Sequence, residues 1–199
     1  ASIDLQYGDP SHAASTFLES VALQRRLGRQ STMLVAYNNV ALCYASIGRN
    51  ADAAAILDTV VTLATSLGAR DALGEALVQL ASIRAGERRF AEAERLCRRT
   101  LALGDSVNQN VRAISASTLG WTLDEQGRSR ESCREMERVL ATGAVDLNGR
   151  AEILTALGKS RVLAGIPDSA IAPLREALAL RAGLHGLLGS SGIGNEHVL

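Results

Sequence analysis

The sequence has no excess of either charge, because 21 Lys and Arg residues balance 21 Asp and Glu residues. A neutral chain lacks the positive field that non-specific binding to nucleic acid or to an anionic membrane requires. One stretch, Arg84 to Arg99, is locally basic, but Phe90 is its single aromatic residue, so it offers no stacking platform for single strands. We therefore do not expect this chain itself to bind nucleic acid.

Cysteine and long apolar runs are also scarce. The three cysteines, Cys43, Cys97 and Cys133, form no CxxC pair, and an odd number in Ala-rich surroundings favours buried thiols in a reducing cytosol over a disulfide framework. No apolar run approaches the roughly 20 residues that span a bilayer, and no charged and then apolar leader is present. We expect a cytoplasmic protein that does not cross a membrane.

Residues with the spacing of a catalytic or metal site are missing as well. His12, His185 and His197 have no His or Cys partner at ligand spacing, so no metal or cofactor is predicted. The segment GSSGIG has no lysine and follows no predicted strand, which argues against a phosphate-binding loop. The acids from Asp124 to Glu137 alternate with arginines at i+3 and i+4 spacing, which is typical of a solvated ion-pair face. An enzyme is therefore the third choice among the functions considered.

The sequence repeats itself with a period of 38 to 40 residues. Four segments align without a gap, and a fifth, Tyr7 to Phe17, matches only the second half of the unit. Such a period indicates stacked supersecondary units. The full copies begin at Val40, Leu80, Leu119 and Leu157, and the equivalent small residues are Ala13, Ala53, Ala93, Ser132 and Ala170.

Each unit predicts a helix, a tight turn and a second helix. In the first helix an aliphatic residue is followed at once by a small one, as in Leu119-Gly120, which allows a neighbouring helix to approach closely. In the second helix the small residue is followed four positions later by a larger apolar one, so that both lie on one buried face. Glycine permits the turn and proline suits the first turn of the second helix. The glycines are Gly8, Gly48, Gly127 and Gly165, and the prolines are Pro10 and Pro167.

This register resembles the tetratricopeptide repeat, which has a small residue at position eight, an aromatic residue or leucine at eleven, glycine at fifteen and alanine at twenty. The resemblance implies an all-α, right-handed solenoid of antiparallel helix pairs. The chain departs from the pattern because its period exceeds 34 residues, the closing proline is missing, and Arg84 and Arg161 occupy position eleven. We place the extra residues at the glycine-marked ends LGRQST, LGARDA and LGDSVNQN. HEAT and armadillo arrays share the longer period, but they do not predict this register.

Long repeats of this style are also similar to the helical arrays of actinobacterial regulators of the antibiotic-regulatory and LuxR types. We predict a repeat domain over residues 1–182, with about four full repeats and an N-terminal half repeat, and a Gly-rich tail over residues 183–199. The half repeat leaves an uncapped first helix, which indicates a fragment of a larger protein. The apolar residues of the tail predict that it folds back over the last repeat or enters a neighbouring molecule.

The concave side of the first helices is the candidate binding site. Positions two, five, six, nine, twelve and thirteen of each unit face this groove in the tetratricopeptide register, where polar amides can bond an extended peptide. The resemblance implies a peptide clamp at position six, which Asn39 occupies. Trp121 is expected to act as an anchor. The predicted groove residues are Val35, Asn38, Asn39, Leu42, Glu75, Val78, Gln79, Ser82, Ile114, Ser117, Thr118, Trp121, Glu125, Glu152, Thr155 and Lys159.

Two functions follow from these features. The first is a non-catalytic module that binds a protein or peptide segment in the groove, as the sensor or scaffold part of a larger bacterial regulator. The alternative is an assembly array that stacks through its open N-terminal end or its tail and leaves the groove unused. In that alternative Asn39 bonds a neighbouring helix and Trp121 fills space between first helices.

Overall fold

The computed structural model describes residues 9–190, with side chains up to residue 183. Within this range the regular elements are helices and no strand occurs, which confirms the predicted all-α fold. The α-helices are α1 (Pro10–Arg26), α2 (Gln30–Ser46), α3 (Asn50–Leu67), α4 (Arg70–Gly86), α5 (Phe90–Ala102), α6 (Gln109–Glu125), α7 (Ser129–Ala141), α8 (Leu147–Leu163) and α9 (Ile171–Ser190), with 3₁₀ helices at Gly104–Ser106 and Pro167–Ala170.

The chain forms two compact units, Ala1–Val111 and Arg112–Leu199. In the first unit α1 packs on α2, α2 on α3, α3 on α4 and α4 on α5, and the two first helices α2 and α4 also contact each other. In the second unit α8 packs on both α7 and α9. Within each unit, these consecutive helices are neighbours in space, as expected for helix pairs.

The turns inside the repeats have the predicted conformation where the structure describes them. Gly48, Gly127 and Gly165 have φ angles of 77°, 71° and 79°, in the left-handed region that glycine adopts without strain. Gly8 lies outside the described residues. In the remaining repeat Arg88 takes the equivalent position with φ 60°, the one described non-glycine residue with a positive φ.

Small residues bring the two helices of a repeat together. A Cβ atom added to Gly120 would lie 3.0 Å from Sδ of Met136, and one added to Gly158 would lie 2.5 Å from Cγ of Leu174. Both partners are the large apolar residues of the second helix in the same repeat. The predicted close approach within each helix pair is therefore confirmed for these two repeats.

The small residues of the second helices form the centre of the core. Ala13, Ala53, Ala93 and Ser132 are fully buried, and Ala170 is 3% exposed. The surrounding first helices supply the rest, including the pairs Val40-Ala41 and Leu80-Ala81, both buried. The register thus identifies these small residues as interior. Four positions later, Leu57, Cys97 and Met136 are fully buried, but Leu174 is 36% exposed, so the predicted burial of the larger residue is wrong there.

Helix ends differ from the prediction near the C-terminus. Pro167 begins a 3₁₀ turn rather than the α-helix, and α9 starts at Ile171. The same helix continues to Ser190 and so runs past the predicted repeat boundary at residue 182. Glycine lowers helix propensity by about 1 kcal/mol but does not forbid a helix, so Gly183 and Gly186 are accommodated. Residues 191–199 lie outside the described range, and the predicted tail remains a prediction there.

Candidate functional site

The first helices of the first unit present an open face at positions two, six and nine of the repeat. These positions are spaced four and three residues apart, so they lie along one side of a helix. On both helices they remain exposed or half-buried. We call this the α2–α4 face, and it consists of Val35, Asn39 and Leu42 on α2 and Glu75, Gln79 and Ser82 on α4.

Position five does not belong to this face, which corrects the predicted site at two residues. Asn38 is 2% exposed and Val78 is 4% exposed. The reason is visible at Asn38, whose Nδ2 donates to the carbonyl oxygen of Ala72 at 3.3 Å and to Oε2 of Glu75 at 3.2 Å, both on α4. The following first helix therefore covers position five. The prediction that Asn38 lies in the open groove is wrong, and its amide joins two repeats.

Asn39 behaves differently from its neighbour. Its side chain is half-buried, and its carboxamide makes no hydrogen bond within the described residues. Gln79, at the same register on α4, has a half-buried side chain whose amide is also unbonded there. The alternative that Asn39 bonds a neighbouring helix therefore does not hold among the described residues. Two amides at equivalent positions on packed helices are available to an external donor or acceptor.

Apolar side chains flank these amides. Val35 is 50% exposed and Leu42 is 43% exposed, one turn before and one turn after Asn39. On α4 the corresponding residues, Glu75 and Ser82, are polar. Glu75 accepts a hydrogen bond from Asn38, and the Ser82 hydroxyl donates to the carbonyl oxygen of Val78 at 3.0 Å. The α2–α4 face thus combines an apolar edge, a pair of amides and a polar edge.

The second unit repeats this arrangement on α6. Trp121 occupies position nine and is 38% exposed, so it does not form part of a closed core. Ile114 and Thr118 are half-buried and Glu125 is exposed. Ser117, at position five, has a buried hydroxyl without a hydrogen-bond partner among the described residues. As in the first unit, position five faces inward and the other positions remain accessible.

On α8 the predicted residues are less enclosed. Lys159 and Thr155 are exposed, and Glu152 is half-buried. The Thr155 hydroxyl donates to the carbonyl oxygen of Ala151 at 2.7 Å and lies 3.4 Å from Nη2 of Arg181 on α9. Thr155 also occupies position five, but no following first helix covers it within the described residues.

A buried polar chain in the second unit was missed by sequence reasoning. The Ser160 hydroxyl donates to Oδ2 of Asp124 at 2.6 Å and lies 3.0 Å from Oγ of Ser132. The Ser132 hydroxyl contacts the carbonyl oxygen of Gly120 at 3.0 Å. This series of hydrogen bonds links α6, α7 and α8. The signal available in the sequence was Ser132 itself, which stands where the other repeats have alanine.

Two of the three thiols, Cys43 and Cys133, are poorly suited to nucleophilic chemistry. Burial raises the pKa of Cys43 and of Cys133, and Glu137 and Asp124 near Cys133 raise that pKa further. A thiol with a raised pKa has little thiolate at neutral pH. The described residues contain no cluster of three or more His, Cys, Asp and Glu side chains that could hold a metal ion. Between residues 9 and 190, no helix combines the length and apolar character needed to span a bilayer.

Comparison with known proteins gives the fold. No family model and no curated protein sequence matches the chain. Among solved structures, BtubC from P. vanneervenii is similar with a TM-score of 0.76 and 22% identity, over 93% of this chain and 78% of that one. The TPR-like repeats of a Podosopora anserina kinesin light chain give a TM-score of 0.69 and 18% identity, over 92% of each chain. MamA gives 0.65 and 18%, over 92% of this chain and 95% of that one.

These similarities define the class of the fold. The helix pairs have the tetratricopeptide-type solenoid fold that the sequence register predicted. An identity below a quarter carries no further information about partners or activity. Function has to be argued from the exposed faces.

Proposed function

We propose that the chain is a non-catalytic module that binds an extended protein or peptide segment on the α2–α4 face. The observation that carries this proposal is the pair of unbonded amides, Asn39 and Gln79, at one register on two packed helices. A carboxamide can donate to and accept from a peptide backbone at the same time. Each such bond contributes about 0.5–1.5 kcal/mol net, so two amides position a segment without fixing its sequence.

The flanking residues favour a segment with apolar side chains on one side. Val35 and Leu42 expose about half of their surface next to Asn39. Burying the exposed half of such a side chain contributes about 0.8–1.5 kcal/mol, about as much as a single amide bond, and unlike a backbone bond it depends on the side chain that the partner presents. Specificity would therefore come from side chains that contact α2, while the amides hold the backbone. Glu75 on the other edge would favour a basic residue in the partner, because opposite charges attract across an exposed face.

Trp121 offers a comparable anchor on the face of α6 in the second unit. A ring that is 38% exposed has apolar surface left to bury, and truncation of such anchors often costs about 2 kcal/mol or more of binding energy. In this proposal Thr118 on α6 and Lys159 on α8 provide polar contacts to the bound segment, as Asn39 and Gln79 do in the first unit. The wider setting, the sensor or scaffold part of a cytoplasmic bacterial regulator, is a further component of this proposal and is supported by the style of the long repeats.

The assembly array remains the second candidate. It is supported by exposed leucines in the first unit: Leu23 on α1 and Leu27 directly after it are each 54% exposed. Apolar surface of this kind at the end of an array favours association. The two functions differ in the residues they require, because assembly does not depend on Asn39 or Gln79.

The test is a selection of peptides from a random display library on the purified chain, followed by affinity measurements. The proposal predicts that Asn39→Ala with Gln79→Ala weakens the selected peptide about tenfold or more, because two backbone bonds are lost. The melting temperature should not change, since neither amide makes a hydrogen bond within the described residues. Gln109→Ala, which removes an exposed amide at the start of α6, is the matched control and should leave the affinity unchanged. Equal affinity of the parent and the double variant would reject the α2–α4 face as the binding site.

A further inference from the structure

A cleft lies at the start of α7 in the second unit. Its volume is about 360 Å³, within the range of sites that hold small ligands. One wall is the start of α7, with Arg128, Arg130 and Arg134, and the other is Leu163 and Ala164, where α8 ends. We call this the α7 cleft, and all of the residues that line it belong to the second unit.

The backbone at this end of α7 has hydrogen-bond donors to offer. An α-helix leaves its first N–H groups without a partner inside the helix. No side chain caps α7, and the N–H groups of Ser129 and Arg130 make no hydrogen bond within the described residues. The aligned peptide dipoles also give this end a partial charge of about +0.5, which attracts anions. Every long helix has such an end, so it does not define a site by itself.

Ser129 is the feature that distinguishes this helix end. It is 7% exposed and lines the cleft. Its hydroxyl has no hydrogen-bond partner in the part of the chain that the structure describes. Burying a hydroxyl without a hydrogen bond costs free energy, and an acceptor bound in the cleft would remove that cost. A buried donor at the wall of the cleft therefore indicates a ligand that accepts hydrogen bonds.

Two arginines of the cleft have no acidic partner. Arg128 pairs with Glu131, the one acid that lines the cleft, at 2.8 Å, so these two charges cancel. Arg130 makes no ion pair between residues 9 and 183, and Arg134 donates only from Nε to the carbonyl oxygen of Arg130 at 3.3 Å. That bond directs Arg134 back along α7 toward the first turn. The ion-pair face predicted from the sequence therefore does not include Arg130 and Arg134, whose two positive charges remain in the cleft.

The second helices of the first unit show which of these groups the fold requires. Arg49 pairs with Asp52 at the start of α3, and Arg89 pairs with Glu92 at the start of α5, in the register of Arg128 and Glu131. This pair is common to three repeats and is structural. At the positions of Ser129, Arg130 and Arg134, α3 has Asn50, Ala51 and Ala55, and α5 has Phe90, Ala91 and Arg95. Among these three helices, α7 alone combines a hydroxyl with two further arginines, so the fold does not require that combination.

We propose that the α7 cleft binds a phosphate monoester. This group has three acceptor oxygens and about two negative charges at neutral pH, which match the two guanidinium charges of Arg130 and Arg134. The donors are two backbone N–H groups, the Ser129 hydroxyl and two guanidiniums, and together they exceed the roughly four lone-pair positions of a carboxylate. Helix N-termini and arginines are groups that bind phosphate in proteins. Leu163, which is 55% exposed on the opposite wall, would contact the organic part of the ligand.

The proposal does not depend on peptide binding to the α2–α4 face, because none of the residues of that face line the cleft. Both a small organic phosphate and a phosphorylated side chain of a partner protein carry a phosphate monoester. The two sources share the same contacts to Ser129, Arg130 and Arg134. They differ in what surrounds the phosphate, and the experiment can separate them on that basis.

The test is an NMR titration of the full ¹⁵N-labelled chain that follows the backbone N–H signals of Ser129 and Arg130. Phenyl phosphate is the probe, and benzoate, a carboxylate on the same ring, is compared at equal ionic strength. We expect saturable shifts of both signals and an affinity for phenyl phosphate about fivefold or more above that for benzoate. A capped Gly-Gly-phosphoserine-Gly-Gly peptide distinguishes the sources. A site for a phosphorylated protein binds this peptide more tightly than phenyl phosphate, and a site for a small organic phosphate binds it more weakly.

Three variants locate the site. Ser129→Ala should weaken phenyl phosphate about threefold or more and leave the melting temperature unchanged or higher, because the hydroxyl bonds nothing in the described protein. Arg130→Gln should weaken it about three- to tenfold, since a charge-assisted bond is lost. Arg138→Gln makes the same charge change on α7 but lies outside the cleft, where Arg138 pairs with Glu135 at 2.7 Å, and should have no effect.

Four results would overturn the proposal. The first two are equal affinity for phenyl phosphate and benzoate, and no saturation at millimolar concentration. The third is an equal loss of affinity in Arg130→Gln and Arg138→Gln, which would reduce the effect to net charge. The fourth is a set of shifts that leaves the N–H signals of Ser129 and Arg130 unmoved, because the anion would then bind elsewhere.

Discussion

Arg161 binds Glu137 across two neighbouring helices, with Nη2 of the arginine 2.7 Å from Oε1 of the acid. Nη1 of the same guanidinium donates to the carbonyl oxygen of Ser169 at 2.6 Å. Arg161 stands where the tetratricopeptide pattern has an aromatic residue or leucine. The departure therefore has a physical reason: an arginine that joins α7, α8 and the turn before α9 replaces apolar packing at this position.

Replacing Arg161 tests this role. We expect Arg161→Ala to lower the free energy of unfolding by about 1–2 kcal/mol, because a largely buried guanidinium and two of its hydrogen bonds are lost. Denaturant unfolding measures the effect. Arg134→Ala on α7 is the control and should stay within about 0.5 kcal/mol of the parent, because this exposed arginine bonds, among the described residues, only the carbonyl oxygen of Arg130. A loss no larger than that of the control would mean that Arg161 does not join the helices.

The two adjacent asparagines should separate stability from binding. Asn38→Ala removes the bonds to α4, and we expect it to cost about 1–2 kcal/mol of stability. Asn39→Ala should leave the melting temperature unchanged, because its amide bonds nothing in the described residues. Thermal melts of the two variants side by side give the comparison. Equal destabilisation by both changes would contradict the different positions assigned to them.

A carboxylate at position 38 adds a pH signature. Asn38→Asp would place a second acid about as close to Glu75 as the 3.2 Å amide contact, in a site that is 2% exposed. Burial and a like charge both raise the pKa of the new Asp, so its charged form destabilises the fold at neutral pH by about 2 kcal/mol or more. This penalty falls as the pH drops below the raised pKa and the acid is protonated. Melting at pH 7 and pH 4.5 should therefore show a smaller deficit relative to the parent at the lower pH, and a constant deficit would refute the explanation.

The sequence predicts those parts of the molecule that depend on one repeat alone. The buried Ala53 and Ala93, the turn glycine Gly48 and the close contact of Gly158 with Leu174 all follow from the register within a helix pair. These features arise from spacing along one chain segment, and the period exposes them directly.

Features that depend on the next repeat were harder to predict. Whether Asn38 or Asn39 is buried depends on the line along which α4 approaches α2, and the helical period alone assigns both to the same side. The ion pair of Arg161 with Glu137 needs the distance between two helices, and the exposure of Leu178 needs the absence of a covering helix within the described residues. Such contacts between elements are set by packing, which propensity and patterning do not specify.

Overpacking should distinguish the inner and outer faces of α5. Ala93 is fully buried, so Ala93→Leu adds three carbon atoms where no space is available, and we expect a cost of about 1–3 kcal/mol. Ala91→Leu places the same side chain on the exposed face of the helix and should change stability by no more than about 0.5 kcal/mol. Denaturant unfolding of both variants provides the comparison. An Ala93→Leu protein as stable as the parent would show that the repeat register is misassigned.

Arg88 holds the turn position that glycine occupies in the other described repeats. Its φ angle of 60° costs an L-residue about 1–2 kcal/mol relative to the right-handed region, whereas glycine adopts it freely. The Arg88 guanidinium also lies 5.4 Å from the centre of the Phe90 ring, so a direct change to glycine removes a contact together with the strain. Comparing Arg88→Gly with Arg88→Ala separates the two effects, since both lose the contact. We expect the glycine variant to be more stable than the alanine variant by about 1 kcal/mol, and Gly48→Ala to be destabilised by a similar amount at the equivalent turn, where φ is 77°. Alanine and glycine variants of equal stability at residue 88 would show that this turn relaxes out of the left-handed conformation once the arginine is removed.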